Sequence, residues 1–254
     1  MKDIIMKNYE RPVLTDAVFI EGLPGVGNVG KLAAEHLVEE LSLKKFASMY
    51  SKYLPPQVTV GDDGVVSLVK HDFYYRQGAA GQKDIVLLTG DFQGLTPEGQ
   101  YELTQAALDV IKKLSVSLVF TLGGYGVIKL LEEPGVLGAV TNVSLVPRLK
   151  ELGVVFRKGE PSSGIIGASG LLLGLGALEG IPGICLMGET SGYFVDPRSA
   201  RAVLGVLSKY LGYEIDYSKL EEKARQIDEI TSKIRENIED LESAEKGEDL
   251  RYFG

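Results

Sequence analysis

The chain has one cysteine, Cys185, in 254 residues, so an intrachain disulfide is excluded. Because the thiol sits inside the apolar run Ile184-Cys185-Leu186-Met187, it reads as a buried structural group rather than a nucleophile. Histidine is almost as scarce. His36 falls within the first expected helix and His71 in an extended segment, with no spacing to cysteine or aspartate that reads as a zinc set. No window approaches the unbroken apolar run of a membrane span. The start Met1-Lys2-Asp3-Ile4-Ile5 has neither an apolar signal region nor a small-residue cleavage site, so the expectation is a cytoplasmic protein without membrane contact. A basic excess is missing too. The formal net charge of −8 leaves no basic stripe to neutralise phosphates, which argues against nucleic-acid binding.

What is present is an alternation of strands and helices. Ala17 to Glu21 reads as a buried strand, followed by a glycine turn and a helix from about Val26 to Leu41. Val58 to Val60 and Val65 to Val69 form a hairpin around Gly61-Asp62-Asp63-Gly64, with Lys70 to Arg76 extending its second strand. Asp84 to Thr89 and Ser117 to Leu122 are further strands, flanking a helix that Thr96 caps and Pro97 starts. A strand near Val154 to Arg157, a glycine-rich helix from Ile165 to Leu178, a strand at Ile184 to Met187 and a helix capped by Asp196 complete the pattern. The expected fold is α/β, a three-layer α/β/α sandwich over residues 1–215.

Glycines recur where these strands end, in Gly22-Leu23-Pro24-Gly25, Gly90-Asp91-Phe92-Gln93-Gly94, Gly123-Gly124-Tyr125-Gly126 and Gly188-Glu189-Thr190-Ser191-Gly192-Tyr193. Open α/β sheets bind ligands at the carboxyl ends of their strands, so Glu21, Asp91, Gln93, Tyr125, Glu189 and Tyr193 could meet in one crevice. The competing reading is a set of tight turns at a crowded sheet edge. Gly25-Val26-Gly27-Asn28-Val29-Gly30 fits a dinucleotide fingerprint, but the acidic residue expected about twenty positions on is missing. The same stretch reads as G-x-x-x-x-G-K through Lys31, yet Leu32 stands where magnesium needs a hydroxyl. No cofactor and no affinity for ATP, GTP or NAD are expected, and Gly27 and Gly30 are read as permitting close helix-to-strand packing. Gly167-Ala168-Ser169-Gly170-Leu171 misses the nucleophile pattern G-x-S-x-G at its last position. With no metal set and no complete catalytic set, acid pairs such as Glu21 with Glu189 could serve in hydrolysis, although carboxylates that cap the surface are the commoner outcome.

From Tyr217 to about Ala244 the chain is highly charged, but Leu220, Ile227, Ile234 and Leu241 recur every seven residues, interleaved with Ala224, Thr231 and Ile238. A polar helix with so narrow an apolar stripe buries it, either between subunits or on its own globular domain. The helix is expected over 216–245, followed by a polar leash and a tip at 246–254. The chain ends Arg251-Tyr252-Phe253-Gly254, two adjacent rings and a terminal carboxylate that a partner's pocket would suit.

Taken together, the ordered motifs Gly22 to Gly30, Gly90 to Gly94, Thr121 to Tyr125, and Gly188 to Tyr193 with Asp196-Pro197 resemble the archaeal proteasome assembly chaperone 2 family, over roughly residues 10 to 215. That resemblance implies a fold like purine nucleoside phosphorylases without their catalytic site. It also implies an ATP-independent assembly chaperone or activator, active as a homo-oligomer, with a tetramer preferred to a pentamer. The implied partners are the α-ring subunits of the 20S proteasome, met by a C-terminal hydrophobic-Tyr-X tag that corresponds here to Tyr252, Phe253 and Gly254. Phe253 departs from that pattern, because it lacks the phenol hydroxyl. The alternative is a nucleoside phosphorylase-like or hydrolase-like enzyme using the strand-end crevice.

Overall fold

The structure is a computed structural model that describes residues 3–128, 131–161 and 164–230. It divides after Asp216 into two units. In the first, the strands β1 (Ile4–Asn8), β2 (Ala17–Gly22), β3 (Lys44–Ser51), β6 (His71–Arg76), β7 (Ile85–Gly90), β8 (Val116–Gly126), β9 (Val136–Val140) and β10 (Gly183–Thr190) form one sheet, in the order β1-β3-β6-β7-β2-β8-β10-β9. The middle four, β7-β2-β8-β10, run parallel, and antiparallel strands close both sides. The middle strands are apolar almost throughout, as strands covered on both faces must be.

Two helices cover each face. On one lie α1 (Val29–Glu40) and α5 (Pro197–Leu211); on the other, α2 (Pro97–Lys113) and α4 (Ala168–Leu178), with the short α3 (Val146–Glu151) outside these pairs. This is the three-layer sandwich expected. Strand alternation assigns the faces: Ala17 and Phe19 pack with Leu103, Ala107, Leu108 and Ile111 of α2 and Leu172 of α4. Both helix starts read from sequence have their caps. Thr96 Oγ1 accepts the Gly99 N–H at 3.1 Å and Asp196 Oδ1 the Ser199 N–H at 3.0 Å, each worth about 1 kcal/mol.

Three expectations change. The first helix starts at Val29, not Val26, because Gly27 (φ 61°) and Asn28 (φ 50°) are left-handed and leave a 3-10 turn at Val26–Asn28. The hairpin is present as β4 (Val58–Val60) and β5 (Val66–Leu68), a separate two-stranded sheet, but His71–Arg76 does not extend it. Val66 and Leu68 are exposed whereas Phe73 is fully buried against Phe46, so the chain breaks after Leu68 and enters the main sheet as β6. Between Val154 and Arg157 there is one bridge, Val155 with Leu137. Gly153 (φ 89°) and Gly159 (φ 77°) turn the backbone on either side, and the pairing with β9 is limited to that one parallel bridge.

The glycine turn and the start of α1 pack closely on β8. A Cβ built on Gly30 would stand 2.1 Å from the Leu122 carbonyl oxygen, and one on Gly124 2.2 Å from the Val26 carbonyl oxygen. The reading of Gly30 as a close-approach residue holds. A helical glycine changed to alanine ordinarily gains up to about 1 kcal/mol. Gly30→Ala should instead lose about 1–3 kcal/mol by overpacking. Gly174→Ala in α4, where an added Cβ meets nothing, should show the ordinary gain. Urea unfolding of the two variants checks the contrast, and equal gains would count against a forced contact.

Candidate functional site

The carboxyl ends of β2, β8 and β10 frame a crevice of about 470 Å³. Its lining includes Leu23 and Gly25 after β2, Leu122 to Gly126 of β8, Met187 of β10, and Ile165 and Ser169 at the start of α4. A second recess, of about 420 Å³, lies by β1 and the end of α2 and includes none of the residues the sequence singled out. The crevice walls are held by hydrogen bonds from the strand-end turns. Thr89 Oγ1 donates to the Gly22 carbonyl at 2.8 Å, and Gln93 Nε2 to the Pro24 carbonyl at 2.6 Å. Gln93 Oε1 accepts the Ala168 N–H at 3.1 Å, which ties the glycine turn to the first turn of α4. His71 pins the same region: its Nε2–H donates to the Phe92 carbonyl at 2.7 Å. Burial holds its pKa below the usual histidine value, so the ring is neutral.

Of the six residues expected to converge, Gln93 and Tyr125 line the crevice. Glu21 lies beneath it, fully buried, where its Oε2 accepts the Ser169 hydroxyl at 2.8 Å and its Oε1 the Leu23 N–H at 3.0 Å. The other three point elsewhere. Asp91 pairs with Lys31 at 2.7 Å, Glu189 pairs with Arg157 at 2.5 Å and accepts the Gly135 N–H, and Tyr193 is 81% exposed. Glu21 and Glu189 therefore have separate partners and do not form an acid pair. Ser169 has no motif of its own to mark it, because G-x-S-x-G fails at Leu171. Strand alternation was the available signal, since Glu21 shares the face of Ala17 and Phe19 and must meet α4.

The glycine turn has a packing task. Gly30 and Gly124 press on carbonyl oxygens of the facing segment, and Gly27 needs its left-handed φ and the space beside Thr190. Although burial opposes its charge, Lys31 has its pKa raised by Asp91 and Glu35, so its ammonium is engaged rather than free for a phosphate. Among the described residues, no group of three or more histidine, cysteine, aspartate or glutamate side chains is placed to hold a metal ion. Cys185 is buried and burial pushes its thiol up to about 12, as suits a structural group. No helix among the described residues is long and apolar enough to cross a membrane.

In the second unit, residues 218–230 are helical. Leu220 and Ala224 are 1% and 7% exposed, Ile227 is half-buried, and Ile230, off the stripe, is 58% exposed. The remaining seam positions Ile234 and Leu241, and the tip residues Tyr252, Phe253 and Gly254, lie outside the described residues.

A glycine-packed three-layer sheet with this ordered set of strand-end turns defines the chain as a member of the PAC2 family, whose model matches residues 19–235. Among solved structures it is similar to Pyrococcus furiosus PbaB, described as an archaeal proteasome activator: 42% identity, 92% of this chain and 100% of that one, TM-score 0.88. Pyrococcus furiosus PbaA, described as an archaeal homolog of proteasome-assembly chaperone, aligns at 28% identity over the whole of both chains with TM-score 0.77. An uncharacterized protein of Methanocaldococcus jannaschii is 41% identical over 259 residues, 100% of this chain and 98% of that protein.

Burial pushes the Glu21 carboxyl from its ordinary value of 4.5 up to about 7, against the opposing hydrogen bonds from Ser169 and Leu23. Between those values the folded chain holds a proton that the unfolded chain has lost. The stability this group contributes is complete below 4.5 and lost as pH rises through 7. Glu21→Gln keeps a carbonyl acceptor and cannot ionise. Its stability relative to the native chain should rise by up to about 3 kcal/mol between acid and mildly alkaline pH, a difference that cancels other titrations. Denaturant unfolding across that range measures it, and a pH-independent difference would refute the assignment.

Proposed function

We propose that this protein is a non-enzymatic, ATP-independent proteasome assembly chaperone or activator, acting as a cytoplasmic homo-oligomer that docks on the α-ring of the 20S proteasome through its C-terminal tips. The observation that carries this reading is the 42% identity, over the full length of that chain, to a protein described as an archaeal proteasome activator. The likeness to a proteasome-assembly chaperone homolog points the same way. Two features of the chain fit the mechanism. The end Tyr252-Phe253-Gly254 offers two rings and a carboxylate beyond the charged stretch Glu245-Lys246-Gly247-Glu248-Asp249, and an oligomer would present several such tips to a ring of subunits at high effective concentration. Loss of the phenol hydroxyl at Phe253 removes one hydrogen bond and leaves ring packing and the carboxylate, so each tip is weak and avidity does the rest.

Each buried ring contributes on the order of 2 kcal/mol by area. A chain ending at Arg251 should therefore lose binding to a purified proteasome α-ring and any stimulation of peptide hydrolysis, Phe253→Ala should be weakened, and both should melt like the full chain. Equal binding by the truncated chain would move the interaction to the globular surface.

The seam Leu220, Ile227, Ile234 and Leu241 is proposed to pack between subunits and to help set the oligomer. Ile227→Asp combined with Ile234→Asp would place carboxylates in an apolar contact, at a cost of several kcal/mol, roughly that of an unpaired buried polar group. The variant should show a lower mass by light scattering, and an unchanged mass would assign oligomerisation to the globular domain.

A further inference from the structure

A carboxyl group taken out of water needs a cation or several hydrogen bonds to keep its charge. Glu21 has two hydrogen bonds and, among the described residues, no cationic partner. Only the Ser169 and Leu23 hydrogen bonds oppose the effect of burial on it. Its partners in register are Leu88 on β7 and Thr121 on β8, neither of them charged. The remaining titratable neighbour is the Cys185 thiol on β10, which burial and the charge of Glu21 keep protonated. The nearby cationic side chains of the strand-end turns are engaged, Lys31 with Asp91 and Glu35 and Arg157 with Glu189.

Ser169 connects this group to the crevice. Its hydroxyl donates to Glu21, so its oxygen keeps acceptor capacity, and the residue lines the cavity. Around it the walls carry the apolar side chains Leu23, Leu122, Ile165 and Met187, beside the polar Gln93 and the Tyr125 hydroxyl, which donates at 2.6 Å to the Glu160 carboxylate that also lines the crevice. Gly25 and Gly123 add no side chain, and a Cβ at either would meet open space. The floor thus has an acceptor backed by an uncompensated acid, and the walls have room for a hydrocarbon group.

We propose that the crevice binds a small alkyl- or arylammonium ion, whose head donates to Ser169 Oγ and supplies the positive charge that Glu21 lacks, while its hydrocarbon part lies on the Leu23, Leu122, Ile165 and Met187 walls. A neutral isostere satisfies the walls and Ser169 but not Glu21. Binding and ionisation of Glu21 are linked, so the ion binds best when Glu21 is charged, and near neutral pH its binding expels the proton.

Calorimetry on the full chain with benzylamine, whose amine stays protonated throughout, and benzyl alcohol as the neutral isostere tests this. Benzylamine should bind saturably at about pH 8 and roughly tenfold more weakly at about pH 6, the change in ionised Glu21 over that interval. Benzyl alcohol should be at least tenfold weaker than benzylamine, and Glu21→Gln and Ser169→Ala should each lose at least tenfold. If Glu21→Gln does not fold, Ser169→Ala and the proton count of the native chain, measured in two buffers of different ionisation heat, decide the matter. No saturable benzylamine binding up to about 10 mM, equal affinity for the alcohol, retained affinity in Ser169→Ala, or binding at neutral pH without proton release would each overturn the proposal.

Discussion

The contact of α1 with β8 is the constraint around which the rest of the molecule is arranged. Gly30 rests on the Leu122 carbonyl and Gly124 on the Val26 carbonyl, at separations that leave no space for a methyl group on either side. Each carbonyl can be approached this closely only because the residue pressed on it, Gly30 in one contact and Gly124 in the other, lacks a Cβ. The approach seats the helix on the middle strands and bends the chain between Gly22 and Val29 through two left-handed residues. That bend places Leu23 and Gly25 at one side of the crevice, and β8 continues to Gly126 to form the other. A stretch that matches nucleotide-binding patterns on paper thus owes Gly27 and Gly30 to packing.

Beneath that crevice the sheet carries its most costly residue. Strand alternation puts Glu21 on the same face as Ala17 and Phe19, and among the described residues only the Ser169 hydroxyl and the Leu23 N–H receive its charge. A leucine at this place would cost nothing to bury. The surrounding turns are in contrast fully engaged: Gln93, Asp91 and Glu189 each have hydrogen-bond or ion-pair partners that hold the loops. Rigid turns around an undercompensated acid describe a place for a ligand better than a place for bond cleavage. The proteasome reading rests on the likeness to a described proteasome activator and not on this crevice, so the two can stand or fall separately.

How much of this was legible beforehand follows from the range of the forces involved. The buried parallel strands and both capped helix starts are encoded in residues near one another, and the sequence determined them; the glycine pattern singled out Gly30 but not Leu122, the residue it packs on. The seven-residue stripe is equally local, and its described part, Leu220, Ala224 and Ile227, is the less exposed side of its helix. Edge strands were the weak point: β9 is divided by Gly138 and flanked by Gly135, and β1 is half exposed, so neither shows a clean apolar run.

Tertiary structure alone decided which polar groups meet. Ser169 stands 148 positions from Glu21, and Gln93 75 from Ala168, so no spacing rule could join them. It also decided that β6 leaves the exposed hairpin for the main sheet, since the burial of Phe73 against Phe46 exists only once both strands are in place. Sequence therefore determined the elements and the family they belong to, because periodicity and caps act within a few residues. The fold decided the crevice and its buried acid, because those depend on strand order and helix face, which bring together residues that are distant along the chain.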